Sequence, residues 1–303
     1  MRAAIMCATG ALISLALLTC GDPSPEEACD QLAKAICDRY HSCSNPYLQV
    51  TYGDLDTCVA RLKLGCQPAL DAPGTSVTTS QIASCASALS ARSCEDTFGP
   101  APPAPCRPLS GELADGVGCA NDNQCQSTYC KKQGKACGVC SKRVSAGEAC
   151  ESDDDCEWEL SCAGQVCAKY VNVGESCDTN HPCLPPSECN SSGTCAKRGG
   201  PGASCDPAAQ DCDLYQGLYC DLGKTCKQVG IVKDGEACGL VDGTFAICAR
   251  SGKCKGGTLL VKGTCLAAAS DGGSCDLVQG PNCLPPARCV DGACKLEDPA
   301  ACR

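Results

Sequence analysis

Cysteine decides what this chain can become. It occupies 36 of 303 positions, about 12%, a density that marks a disulfide scaffold. Leu, Ile, Val and Phe together reach only about 16%, below the usual floor for a packed core. Aromatic residues make up 3%, so the side chains that dominate core burial are scarce. One large enzyme domain, such as an α/β barrel, is excluded. The composition calls for several small units, each stapled because none buries enough apolar surface alone. Thiols at this density do not stay reduced in a cytosol, so an oxidising compartment is implied. The net charge of −10, from 35 acidic and 25 basic residues, offers no footprint for phosphate, and no nucleic-acid partner is expected.

The first residues read as an export signal spanning 1–19. Met1-Arg2 is a short positive start, and Ala3 to Leu18 is apolar but too short to span a membrane. Leu17-Leu18-Thr19-Cys20 then resembles the bacterial lipobox, in which the cysteine is lipidated and becomes the first mature residue. The resemblance implies a membrane anchor at Cys20. An ordinary signal peptide cut before a structural cysteine is the alternative. Setting aside Cys7 and Cys20 leaves 34 cysteines, an even number that allows every thiol to pair.

Residues 20–98 read as a disulfide-pinned helical module. The segment from Glu26 to Tyr40 places Cys29, Leu32, Ala33, Ile36, Cys37 and Tyr40 on one helical stripe behind two acidic residues. A second helix is expected from Asp54 or Asp56 through Cys58, Leu62 and Cys66. A third is expected behind Thr78, with Gln81 completing a capping box and Ile82, Cys85, Ala86 and Leu89 on its inner face. Seven or eight cysteines belong here: Cys29, Cys37, Cys43, Cys58, Cys66, Cys85, Cys94 and, at the border, Cys106. Residues 99–108 follow as a linker, with four prolines between Gly99 and Pro105 that favour an extended, semi-rigid spacer.

Residues 109–303 read as about six tandem cysteine-rich repeats. A glycine stands three residues before the first cysteine of each: Gly116, Gly147, Gly174, Gly202, Gly235 and Gly272. Six residues before it stand Leu113, Val144, Val171, Gly199, Val232 and Ala269, mostly small or apolar. Spacings of about 27 to 37 residues lie in the range of repeat arrays. The units carry, in order, Cys119, Cys125, Cys130, Cys137 and Cys140; Cys150, Cys156, Cys162 and Cys167; Cys177, Cys183, Cys189 and Cys195; Cys205, Cys212, Cys220 and Cys226; Cys238, Cys248, Cys254 and Cys265; and Cys275, Cys283, Cys289 and Cys294, with Cys302 beyond. In most units the last two cysteines flank a turn glycine, and Asp291-Gly292 is a hairpin dipeptide. Each unit is therefore expected to be a strand, a loop and a short β-hairpin held by about two bridges. Insertions in units four and five are assigned to loops. Four cysteines allow three connectivities, which stay open here.

Cys119-x5-Cys125-x4-Cys130-x6-Cys137-x2-Cys140, followed by Cys150-x5-Cys156, resembles the N-terminal cysteine-rich domain of the Dickkopf family, without that family's adjacent cysteine pair. The resemblance implies a secreted receptor ligand. The whole layout is similar to cysteine-rich lipoproteins of bacterial envelopes, which implies an outer-membrane-anchored location, periplasmic or surface-exposed, or else a secreted one.

Candidate chemistry is sparse. His41 and His181 lie in different modules, so no general-base network is visible. Cys137-Gly138-Val139-Cys140 is the one C-x-x-C and lacks the second ligand pair of a zinc site. Asp153-Asp154-Asp155 reads as a solvated loop, since it lacks the ligand ladder of an EF-hand. No catalytic, cofactor or metal site is expected. The expectation is a non-enzymatic, lipid-anchored envelope protein whose repeats form a rod-like binding, adhesion or spacer scaffold for an envelope or extracellular protein or glycan. The alternative is a protease inhibitor presenting Lys131-Lys132 or Lys142-Arg143.

Overall fold

The computed structural model describes residues 21–132, 135–208, 211–258 and 260–302. Cys7 and Cys20 lie outside them. Seventeen disulfides join all the cysteines from Cys29 to Cys302. The fold is small, disulfide-rich and divided between a helical region and small, mainly antiparallel strand pairs.

The helical module contains α1 (Pro25–Cys43), α2 (Asn45–Thr51), α3 (Leu55–Leu70), α4 (Thr79–Ser90) and α5 (Cys94–Thr97). Ser24 and Glu27 form a reciprocal capping box at the start of α1, with Pro25 in the first turn. Thr78 caps α4 by accepting the Gln81 N–H. The expected return bond is absent: Gln81 turns its Nε2 to donate to the Arg107 carbonyl, and its Oε1 does not accept from Thr78. Cys29–Cys66 and Cys37–Cys58 pin α1 to α3, Cys43–Cys94 pins α1 to α5, and Cys85–Cys106 ties α4 to the segment after it. The Pro-rich stretch is thus no free spacer. It folds back on the helices, where Arg92 donates to the Ala101 carbonyl.

The six units share one wiring, first cysteine to third and second to last. The glycine before each first cysteine has φ between 77° and 90°, a region that side chains disfavour. Its N–H bonds the carbonyl of the unit's last cysteine, as Gly147 does Cys167 and Gly174 does Cys195. The residue three positions earlier pairs in parallel with the second cysteine, as Val144 with Cys156 and Val171 with Cys183. These two contacts fold the start of each unit across its own bridges. In unit two the buried cluster is Cys150, Cys156 and Cys167, with Val144, Leu160 and Cys162 against it. Sulfur occupies the place of an aliphatic core.

The expected hairpins form at Leu160–Ala163 with Val166–Lys169, and at Arg288–Val290 with Ala293–Lys295. Their central pairs, Gly164-Gln165 and Asp291-Gly292, all have positive φ, matching the twist of tight hairpin turns. Unit five departs from expectation. Its extra residues are not a loop but strands of a five-stranded sheet, ordered Gly230–Val232, Thr244–Cys248, Ala237–Val241, Lys262–Leu266, Lys253–Lys255. Asp242-Gly243, with φ of 48° and 79°, supplies a second tight hairpin.

The string of units is not a rod. Cys137 of unit one is bonded to Cys302, 165 residues away, and Lys132 pairs with Glu297 beside that link. The closed circuit lies against the helical module throughout. Gln124 of unit one donates to the Pro73 carbonyl. Arg107 pairs with Glu159 of unit two, and Glu95 with Lys197 after unit three. Ser44 donates to the Tyr215 carbonyl of unit four, and Gln216 returns a bond to Cys43. Backbone N–H groups of Arg250 and Ser251 in unit five meet the carbonyls of Gln49 and Val50. Arg61 on α3 holds Asp271 by two bonds of 2.7 Å and also reaches the Leu284 and Pro285 carbonyls. Local spacing predicts each unit but not the closure, because a single cysteine pair decides it.

Candidate functional site

A groove of about 1010 Å³ opens between the helical module and units two and three. Glu157 and Trp158 follow the second cysteine of unit two, and Leu184 and Pro185 follow the second cysteine of unit three. These equivalent positions of adjacent units line the same groove, together with Tyr170. The opposite wall comes from Arg92, Glu95, Asp96 and Pro100. The recurring bridges fix the backbone on either side of these positions, so side chains there are displayed without carrying the fold.

Trp158 is positioned by Arg143. The guanidinium carbon lies 4.1 Å from the Trp158 ring centroid and 4.5 Å from that of Tyr129. Such stacking contributes about 0.5–1 kcal/mol per ring at partly exposed sites. Arg143 also pairs with Asp122 at 3.1 Å and donates to the Asp154 and Cys156 carbonyls. It is a joint between units one and two.

A charged network continues from that joint. The Tyr129 hydroxyl donates to Asp155 at 2.7 Å, and Lys131 pairs with the same carboxylate at 3.2 Å. Burial, with the neighbouring carboxylates, holds the Tyr129 phenol well above its ordinary range. Burial pushes the Asp155 pKa up, but the Tyr129 hydroxyl, the Glu151 N–H and Lys131 outweigh it, and the pKa ends below the ordinary carboxylate range. Asp122 goes the other way, raised chiefly by burial against the pull of the Cys130 N–H and Arg143.

This corrects, at Asp155, the reading of Asp153-Asp154-Asp155 as a solvated loop, while Asp153 and Asp154 are exposed. Asp155 is only 4% exposed, and Asp153 accepts from the Ser161 hydroxyl and the Cys162 N–H. The run is a single helical turn, Asp153–Asp155, behind Ser152. Asp153 closes donors of its own unit, and Asp155 closes donors of both units one and two.

The other candidates are dispersed. Cys137 and Cys140 are not partners, since Cys140 bonds Cys125. Grouped cysteine sulfurs inside the units, such as Cys119, Cys125 and Cys140, are consumed by bridges and are not thiolate ligands. His41 meets Asn45 and His181 meets Asp178, both exposed. Of the proposed inhibitor residues, Lys131, Lys132 and Arg143 are engaged in ion pairs within the fold. Lys142 is exposed.

Sequence reading missed Arg143, Tyr129 and Trp158 as a group. The available signal was the chain's single tryptophan in the variable segment behind a second cysteine. No family model, curated protein or solved structure matches this chain. Among the described residues, no helix is long and apolar enough to cross a membrane.

Proposed function

We propose that this chain is a non-enzymatic envelope protein, anchored through a lipid on Cys20, that binds an extracellular or envelope protein or glycan in the groove beside Trp158. The carrying observation is the complete pairing of the 34 cysteines, which fits an oxidising, extracytoplasmic place. The groove supports a binding role. It combines aromatic and proline surface with carboxylates and lysines, the mixed lining that fixes a ligand's orientation. The closed, bridge-stapled circuit supports persistence where proteases are present.

The test has two arms. Mass spectrometry of the mature amino terminus reads the anchor: an unmodified, freely secreted chain overturns it. Pull-down from envelope extracts reads the groove, comparing the wild-type chain with Leu184→Trp. Leu184 is 39% exposed, so the larger ring narrows the groove without entering a core. Equal capture by both proteins removes the groove from the proposal.

A further inference from the structure

The helical module holds two apolar cavities that meet at shared walls. The outer one, about 150 Å³, is bounded by Ala69, Val77, Gln81 and Ile82. The inner one, about 290 Å³, is bounded by Ile36, Tyr40 and Leu89, with the Arg39 and Arg92 side chains also in its lining. Leu32, Cys85 and Cys106 line both. Leu32, Ile36 and Leu89 belong to the inward stripes of α1 and α4, yet they are only half-buried. Helices of this amphipathic kind normally close such stripes against one another. Here α1 and α4 do pack together, but Leu32, Ile36 and Leu89 at the margin of that contact border open apolar space.

The described chain starts beside this space. Asp22 accepts a hydrogen bond from Ser80 in the first turn of α4, and Ser80 directly precedes Gln81 and Ile82 of the outer cavity. Cys20 is two residues from Asp22, a reach of about 7 Å. In the wall of the outer cavity, Gln81 Oε1 is buried without a hydrogen-bond partner. It is an acceptor awaiting a donor such as the amide of an acylated amino terminus.

We propose that these joined cavities stow a fatty-acyl chain carried by Cys20. The inference rests on the lipid-anchor reading and extends it: the helical module is an acyl-chain receptor for its own anchor. The chain enters past Val77 and Ile82, runs beside the α1–α4 contact along Cys85 and Cys106, and ends against Tyr40. Withdrawn from the bilayer, one chain fewer holds the protein to its membrane. A single acyl chain gives only marginal, reversible binding, so stowing shifts the protein between firm and loose attachment.

The test uses the full, lipid-processed chain produced in cells fed a diazirine-bearing fatty acid, irradiated in vesicles and mapped by mass spectrometry. The expected result is acyl-labelled Cys20 cross-linked within the same chain to Leu32, Ile36 or Leu89. Ala69→Trp, which fills the outer cavity, is expected to lose those cross-links and move them to bilayer lipid while all disulfides map as in the wild type. An acylated Cys20 cross-linked only to bilayer lipid in the wild-type chain overturns the stowing and leaves the anchor standing. A mature Cys20 without acyl label overturns both. An unacylated Cys20→Ser chain that copurifies with a fatty acid or phospholipid in these cavities also overturns the proposal, by assigning the space to membrane-derived lipid.

Discussion

In the helical module, disulfides join elements whose ends are already set by local side chains. Ser24, Ser44, Asp54, Thr78 and Ser93 each accept a backbone N–H in the first turn of their helix. Leu48 and Tyr52 add conventional buried surface around Cys37 and Cys58. In unit three, by contrast, the buried residues are Cys177, Cys183 and Cys195 alone, with Val171 against them. Its strands are two residues long, Glu188–Cys189 and Cys195–Ala196, too short to persist unaided. The same bond therefore does two jobs. Among helices it fastens pieces that local chemistry already favours, and in the units it is both fastener and interior.

Complete reduction separates the two most widely. With dithiothreitol, the units are expected to lose all amide-exchange protection, while part of the helical circular-dichroism signal survives. Equal loss in both regions would break the comparison. Removing one bridge sharpens it further. In the chain-entropy model, deleting Cys156–Cys167 or Cys37–Cys58 costs about 3 kcal/mol either way, slightly more for the longer loop. The sulfur-core argument predicts the opposite order of damage. Paired serine replacements at 156 and 167 should abolish exchange protection throughout unit two, whereas those at 37 and 58 should leave α1 and α3 protected.

How much of this was legible beforehand follows the same division. Three of the five described helices (α1, α3 and α4) and the turn glycines were visible because caps, periodicity and positive-φ positions are local, whereas the short α2 and α5 were not expected. The reciprocal box at Ser24 and Glu27 is equally local, whereas at Thr78 the Gln81 side chain serves Arg107. The pairing was not legible, since four sulfurs at similar spacing look alike until the chain folds. Neither was the closure through Cys302, nor Arg143 beneath Trp158, since both join distant units. Unit five's insertion carried two short apolar runs, Ala237 to Val241 and Thr244 to Cys248, around Asp242-Gly243. That was a hairpin signal read as a loop.

Two smaller effects address the contact between module and circuit. Arg61→Ala removes a largely buried guanidinium bonded to Asp271 and two carbonyls, a loss on the order of 2–3 kcal/mol. It should appear as faster exchange in α3 and unit six. The Arg61 hydrogen bonds hold Asp271 below the ordinary carboxylate range. A lowered folded-state pKa stabilises above the unfolded value of about 3.9, and that stability is lost as pH falls through the folded one. Wild-type docking should therefore weaken only below about pH 4, and Arg61→Ala should lack that dependence. The smallest change is Gly174→Ala. A Cβ there meets nothing within 4 Å, so the whole penalty, about 1–2 kcal/mol, comes from its φ of 90°. Local exchange in unit three reads it, and D-alanine at the same position should restore protection.

The bond between Cys137 and Cys302 also changes what one cut can do. In an open string, a protease that nicks the peptide between two neighbouring units releases everything downstream. Here the severed portion stays covalently attached by its far end. The molecule should run undivided on a non-reducing gel after one such nick, and only a second cut sets a fragment free.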